Sequence, residues 1–309
     1  MRYNFDSIIK DTYSSFARDK SEIPFNAIPR IDPRISLYLN ERLSQRPVKD
    51  QVDILREYEN DKWGGLLSKL VAAQDFSHKS CMIQFYGHQT IPMFFLDHVF
   101  EVRVLDYQTL ATALMSDFIK ELAGERPVDL LELGCGFGGT LMGVARRLSL
   151  RSRLCSVTGL DISESGLQIL TKMAEVEGMA ITTGIHDFAA DIPVPKMEGG
   201  GESVRFAFTN FSLAALTNYP GNPISNILKT SGANYLIVFE PMGLEKDNLT
   251  FASFFTDIHI KYNSYNSDIR EFIKLSVNDG LCKVLYNCND IIGASAASTI
   301  SFYIIESNC

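Results

Sequence analysis

From residue 106 onward the chain alternates short apolar runs with stretches whose apolar residues return every three or four positions. In "DYQTLATALMSDFIKELAG", Leu110, Leu114, Phe118, Ile119 and Leu122 form one stripe that ends at Gly124, which predicts an amphipathic helix with a glycine C-cap. "VDLLEL" then reads as a strand buried on both faces, "GTLMGVARRLS" as a helix and "CSVTGLDIS" as a second strand. "ESGLQILTKMAEVEG" has the acidic start and glycine end of a helix, and "MAITTGIHD" reads as a third strand. Strand, helix, strand, helix, strand implies parallel pairing through right-handed crossovers. The rhythm continues through "SVRFAFTN", the turn-rich "YPGNPIS" and "ANYLIVFEP". It changes after the helix "SDIREFIKLSVNDG": "LCKVLYNCND" and "STISFYIIES" are joined too closely for a crossover and must run antiparallel.

The first third is less regular. Residues 1–50 read as an arm of short helical pieces interrupted by prolines. Val52, Leu55, Tyr58, Leu66, Leu67 and Leu70 recur near helical spacing, with Gly64-Gly65 as an interruption, so one broken helix or two are expected. "CMIQFYGHQTIPMFFLDHVFEVRVL" contains a proline and has no clean period; its type stays open, and its apolar, aromatic middle suits a lid. Two units follow from this reading: residues 1–105 as a helical arm and cap, and residues 106–309 as the α/β domain.

With 309 residues, 46% of them apolar and 21% charged, the chain can bury a sizeable core. A net charge of −8 argues against a broad phosphate-neutralising surface, so nucleic acid is not expected as a partner. No stretch approaches ~18 uninterrupted apolar residues, and "MRYNFDSIIK" lacks the apolar core of a secretory signal, so a soluble cytoplasmic protein without membrane partners is expected. The six cysteines are scattered and never spaced C-x-x-C, which suits reduced thiols; the five histidines form no H-E-x-x-H, and no metal site is expected.

The richest chemistry lies in "VDLLELGCGFGGTLMGVARRL". Gly134, Gly136 and Gly138 follow a buried strand and precede a helix, where a tight turn and a helix N-terminus receive an anion. Gly134, Gly136 and Gly139 also satisfy the G-x-G-x-x-G of dinucleotide enzymes. Glu132 decides between them, because a carboxylate two residues ahead of the turn repels a pyrophosphate. A ligand with an ammonium, a carboxylate and a sulfonium fits better, and S-adenosylmethionine is such a ligand. At the end of the next strand Asp161 can accept both ribose hydroxyl protons, with Ile162 against the adenine; Ser163 is an alternative cap for the helix that follows.

"ELGCGFG", "GLDIS", "HDFAADI", "FTNFSLAAL" and "LIVFEP", in this order and spacing, resemble a class I S-adenosylmethionine-dependent methyltransferase over residues 106–307. The resemblance implies a Rossmann-like, mostly parallel seven-stranded sheet with an antiparallel C-terminal edge strand, here with a helical N-terminal cap. It places Glu132, Gly134, Gly136 and Gly138 at the methionine end, Asp161 at the ribose, Asp187 and Phe188 at the adenine, and Asn210 and Phe211 beside the transferred methyl. "TNFSLAAL" lacks both prolines of the N-P-P-[YF] found in enzymes that methylate amide or exocyclic nitrogens of protein or nucleic acid.

Methyl transfer from a sulfonium is a direct displacement, so positioning and water exclusion carry much of the catalysis and a base is needed only where the acceptor must lose a proton. Three acceptor-side candidates arise: Glu240, before Pro241 at a strand end, and His88 and His98, which flank the lid-like segment. Met82, Met93, Phe94 and Phe95 read as core packing, with the lining of an acceptor pocket as the alternative; Trp63 reads as cap packing, and Arg146, Arg147, Arg151 and Arg153 as partners of a helix dipole. The expected acceptor is a small molecule, with a homodimer allowed. A protein or peptide methyltransferase, a catalytically silent cofactor-binding module and a dinucleotide oxidoreductase stay open as alternatives.

Overall fold

The computed structural model describes residues 3–24, 27–28, 32, 34–35, 37, 51–149, 154–187, 190, 192–197, 201–216, 219, 221–244 and 249–309. The predicted alternation is present: β3 (Val128–Leu133), α6 (Gly139–Ser149), β4 (Leu154–Asp161), α7 (Glu164–Glu177), β5 (Thr182–Ile185), β6 (Val204–Asn210), α8 (Pro223–Thr230) and β7 (Tyr235–Glu240). α9 (Phe251–Asn263) and α10 (Ile269–Asn278) lead into β8 (Cys282–Gly293) and β9 (Thr299–Ser307). Every residue of β3 and β7 is buried, as two-sided helical cover requires.

Alternate residues serve different layers. Leu130, Phe206 and Ile237 join the core under α5 (Val104–Ala123), α6 and α7. Leu131, Ala207 and Val238 join the core under α8 and α10. Phe118 of α5 stacks on Phe302 of β9 with ring centroids 4.3 Å apart, tying the helix that precedes β3 to the last strand.

The sheet has nine strands in the order β2-β1-β8-β9-β7-β6-β3-β4-β5, and this corrects the expectation of a seven-stranded, mostly parallel sheet. Four of its eight pairings are antiparallel. The additional strands are β1 (Thr90–Phe95) and β2 (His98–Arg103), which come from the segment whose type the pattern left open, so the N-terminal third is not wholly helical. Leu96 and Asp97 form their two-residue turn with φ of 49° and 65°. A tight hairpin wants this backbone, but its usual Asn-Gly or Asp-Gly signature is missing. Pro92 is tolerated because β1 meets β8 only at Phe94 and Phe95, past the position where a proline would break the ladder. As a result β8 is an interior strand, and β2 takes the edge.

The elements with described bounds in the N-terminal third also include the helices α1 (Phe5–Ala17), α2 (Gln51–Arg56), α3 (Gly65–Ala73) and α4 (His78–Tyr86). α2 and α3 are joined without a break by a π-helical turn, Glu57–Gly64. Gly64-Gly65 therefore widens the helix instead of interrupting it: a Cβ on Gly64 would lie 2.5 Å from the carbonyl oxygen of Glu59, five residues back. No helix among the described residues is long and apolar enough to cross a membrane.

Candidate active site

β4 and β6 flank β3 on opposite sides, so the chain leaves the sheet in two directions at this point. A crevice necessarily opens beyond the carboxyl ends of such strands. A cavity of about 260 Å³ lies here, and the structure brings Glu132, Gly134, Gly136, Asp161 and Ile162 together on its wall. Asn210 and Phe211 border it from the end of β6.

The glycine turn is built by hydrogen bonds to its neighbours. Gly134 and Cys135 both donate N–H to the carbonyl of Leu160, at 2.7 and 3.0 Å, and Gly138 donates to Cys135 at 2.8 Å. Asp161 braces the turn from below: Oδ2 accepts the Gly136 N–H at 2.7 Å and Oδ1 accepts the Ser163 N–H at 2.8 Å. Ser163 caps α7 by accepting from Gly166 at 3.1 Å, so the cap is the serine and Asp161 keeps its cavity-facing position.

Glu132 is 2% exposed, and its Oε2 has no hydrogen-bond partner. Burial pushes its pKa well above the carboxylate range, against the pull of the Leu141 N–H, and the nearby charge of Asp161 adds to the rise. Burial also raises Asp161, with the N–H groups of Ser163 and Gly136 opposing it. Two buried acids therefore meet on the cavity wall, one of them with an orphaned oxygen. A buried acceptor in this state is unfavourable until a donor reaches it.

Asn210 donates Nδ2 to Thr140 Oγ1 at 2.8 Å, tying β6 to the first turn of α6. Phe211 holds φ at 57°, a backbone conformation uncommon for a bulky residue and one met at functional turns. Its N–H donates to Phe239 at 3.1 Å.

Other expected site residues sit elsewhere. Gly138 is off the cavity wall; its place opposite Leu170 is so tight that a Cβ would lie 2.3 Å from Cδ1. With φ at 77° as well, Gly138→Ala is expected to lower unfolding stability by about 2 kcal/mol or more, which denaturant titration would measure. Asp187 follows His186, whose N–H donates to the Asp161 carbonyl at 2.9 Å, and is not among the residues that line the cavity. Phe188 lies outside the described residues.

The three acceptor-side candidates are not on the cavity wall. Glu240 is fully buried with Oε1 accepting the N–H groups of Ser212 and Leu213 at 3.0 and 3.1 Å, and Oε2 accepting that of Ala214 at 3.2 Å. It clamps the loop after β6 instead of facing an acceptor. His98 pairs with Glu22 at 2.8 Å on the edge strand β2, and His88 is exposed ahead of β1. Both histidines follow the hairpin to the sheet edge, because the lid-like segment became sheet.

The sequence pattern did not single out the residues that roof the cavity. Ile54, Tyr58 and Lys62 line it from α2 and the π turn, with Trp63 and, from α4, Phe85 and Tyr86. Ile54, Tyr58 and Lys62 recur at intervals of four, a spacing that could have marked one face. Trp63 packs as expected, 5.3 Å from Phe137 and 4.9 Å from Phe85 between ring centroids, yet the surface it packs on is the site itself.

No protein-family model matches the chain, and no curated protein matches it. Among solved structures it is similar to a geranyl diphosphate methyltransferase in complex with GPP and sinefungin, at 12% identity over 83% of this chain and 98% of that one, with a TM-score of 0.49. A S-adenosylmethionine-dependent methyltransferase from Clostridium acetobutylicum aligns at 11% identity over 66% and 93%, with a TM-score of 0.42. A SAM-dependent methyltransferase from Aquifex aeolicus aligns at 14% over 62% and 88%, with a TM-score of 0.41. The likeness is one of fold.

Proposed function

We propose that the chain is an S-adenosylmethionine-dependent methyltransferase that passes a methyl group to an oxygen or nitrogen atom of a small molecule. The orphaned carboxyl oxygen of Glu132, buried in the cavity wall beside the glycine turn, carries this reading. An ammonium group supplies the donor this oxygen lacks, whereas a diphosphate would bring a second negative charge against it. S-adenosylmethionine combines that ammonium with an electrophilic methyl.

The chain's own residues then divide the work. Glu132 holds the amino group, and Asp161 accepts from the ribose with the lone pairs left beside Gly136 and Ser163. Asn210 and Phe211 border the reacting end, where the bond between Asn210 and Thr140 fixes their distance from α6. Tyr58, Phe85 and Tyr86 line the cavity and can exclude water from a direct displacement.

Isothermal titration with S-adenosylmethionine and with NAD tests the cofactor. Binding of the first and not the second is expected; preference for NAD would reject the reading. Transfer of labelled methyl from the cofactor into a metabolite extract, against a peptide mixture, tests the acceptor. Label in the peptides alone would replace the small-molecule assignment.

A further inference from the structure

The π turn carries more than roof residues. Glu59 reaches across to α7, where Oε1 accepts the Ser165 hydroxyl and Oε2 the Ser163 hydroxyl, each at 2.6 Å, and both oxygens share the Ser165 N–H at 3.1 Å. A carboxylate here also answers the positive end of α7. Four residues further on, the Trp63 indole lies on the glycine turn: a Cβ on Gly136 would lie 2.7 Å from Cζ2, and one on Gly166 would lie 3.1 Å from Cδ1. The ring thus bridges the glycine turn and the start of α7, and its Nε1 is buried with no hydrogen-bond partner. The ligand's backbone approach at Gly136 is taken by the indole.

The turn also has a place to bend. Gly64 and Gly65 end it, both in right-handed helical conformation, and Gly65 has open space around its Cα, with the nearest atom to a Cβ at 4.0 Å. A π turn inside an α-helix stacks poorly and is met mostly where function requires it. Latch and plug thus lie in one eight-residue segment, and the hinge joins its last residue, Gly64, to the first residue of α3, Gly65.

We infer that the segment Glu57–Gly64 is a gate over the glycine turn, with Glu59 as its latch, Trp63 as its plug and Gly64-Gly65 as its hinge, so that cofactor enters and leaves only when the latch opens. The inference rests on the cofactor reading above and adds an order of events to it. Glu59 is a positioning residue: it does not line the cavity and acts on the ligand through Trp63 and the start of α7.

Trp63 is the chain's one tryptophan, so its fluorescence reports on the gate directly. In stopped-flow mixing of the full chain with S-adenosylmethionine, the observed rate in the wild type is expected to bend toward a ceiling as ligand concentration rises, the signature of an opening step. Glu59→Gln should raise that ceiling and the dissociation rate together, by roughly fivefold or more, because charge-assisted hydrogen bonds are lost. Gly65→Ala, which fits the available space, should stiffen the hinge and lower the ceiling. Opposite responses of two folded variants are not a generic stability effect, and Gly65→Ala carries the test should Glu59→Gln unfold.

A rate linear in concentration and equal in all three proteins would overturn the gate, as would binding seen by calorimetry with no change in fluorescence. Absence of calorimetric binding to the wild type would instead sink the cofactor reading, and the gate with it.

Discussion

Glu132→Gln is expected to weaken S-adenosylmethionine binding by more than about tenfold, or ~1.4 kcal/mol, while raising the melting temperature of the empty protein by a few degrees. The two effects have one cause. In the fold a carboxyl group is kept from water with one oxygen unpartnered, and burial raises its pKa. The folded state therefore holds this proton at pH values where the unfolded chain has released it, so its contribution to stability falls as pH rises from the ordinary carboxylate range toward the raised value. A neutral amide removes that dependence. Binding runs the other way: the ammonium needs the ionised form, so wild-type affinity should climb with pH over the same window, and the variant's should not. Calorimetry and thermal melts across pH check both. A variant that binds as tightly as wild type would remove Glu132 from the site.

Glu240→Ala should cost roughly 1–3 kcal/mol or more of unfolding free energy, the range for leaving a buried hydrogen-bond donor without its acceptor. Glu240 joins the N–H groups of Ser212, Leu213 and Ala214 to the end of β7, and no water replaces it at zero exposure. Each donor left unpaired costs about 1–3 kcal/mol, though the three are not additive. Glu240→Gln keeps an acceptor and should lose less. The ladder Ala > Gln > wild type in denaturant unfolding identifies a clamp for the Phe211 loop; stability within ~0.5 kcal/mol of wild type for both variants would exclude that role.

How much of this was legible depended on how local the controlling interaction is. The strands and helices from residue 106 to the C-terminus follow from short apolar runs and a period near 3.6, which any few neighbouring residues display. The glycine turn follows from backbone positions that disfavour a side chain, and the meeting of Glu132 with Asp161 follows from parallel neighbours, β3 and β4, ending at one edge. The β1–β2 hairpin was hidden because Leu96-Asp97 adopts a glycine-like turn without a glycine, under the constraint of packing beside β8. For Glu240 an acceptor-side and a structural role read alike, because position at a strand end does not say which face its side chain takes. Its neighbour Phe211, turned at positive φ, delivers three N–H groups to it, and that loop conformation is itself a tertiary result.

Left to itself, the amino-acid order determines an α/β chain with an acid ahead of a glycine turn and a second acid one strand later, since these depend on residues adjacent in sequence or one crossover apart. Tertiary structure alone decides that Glu132 has an orphaned oxygen, that Glu59 bonds to serines more than 100 residues away, and that an indole covers Gly136. Hydrogen bonding and exclusion of water depend on what lies opposite, and in a folded chain the opposite wall comes from a distant part of the sequence.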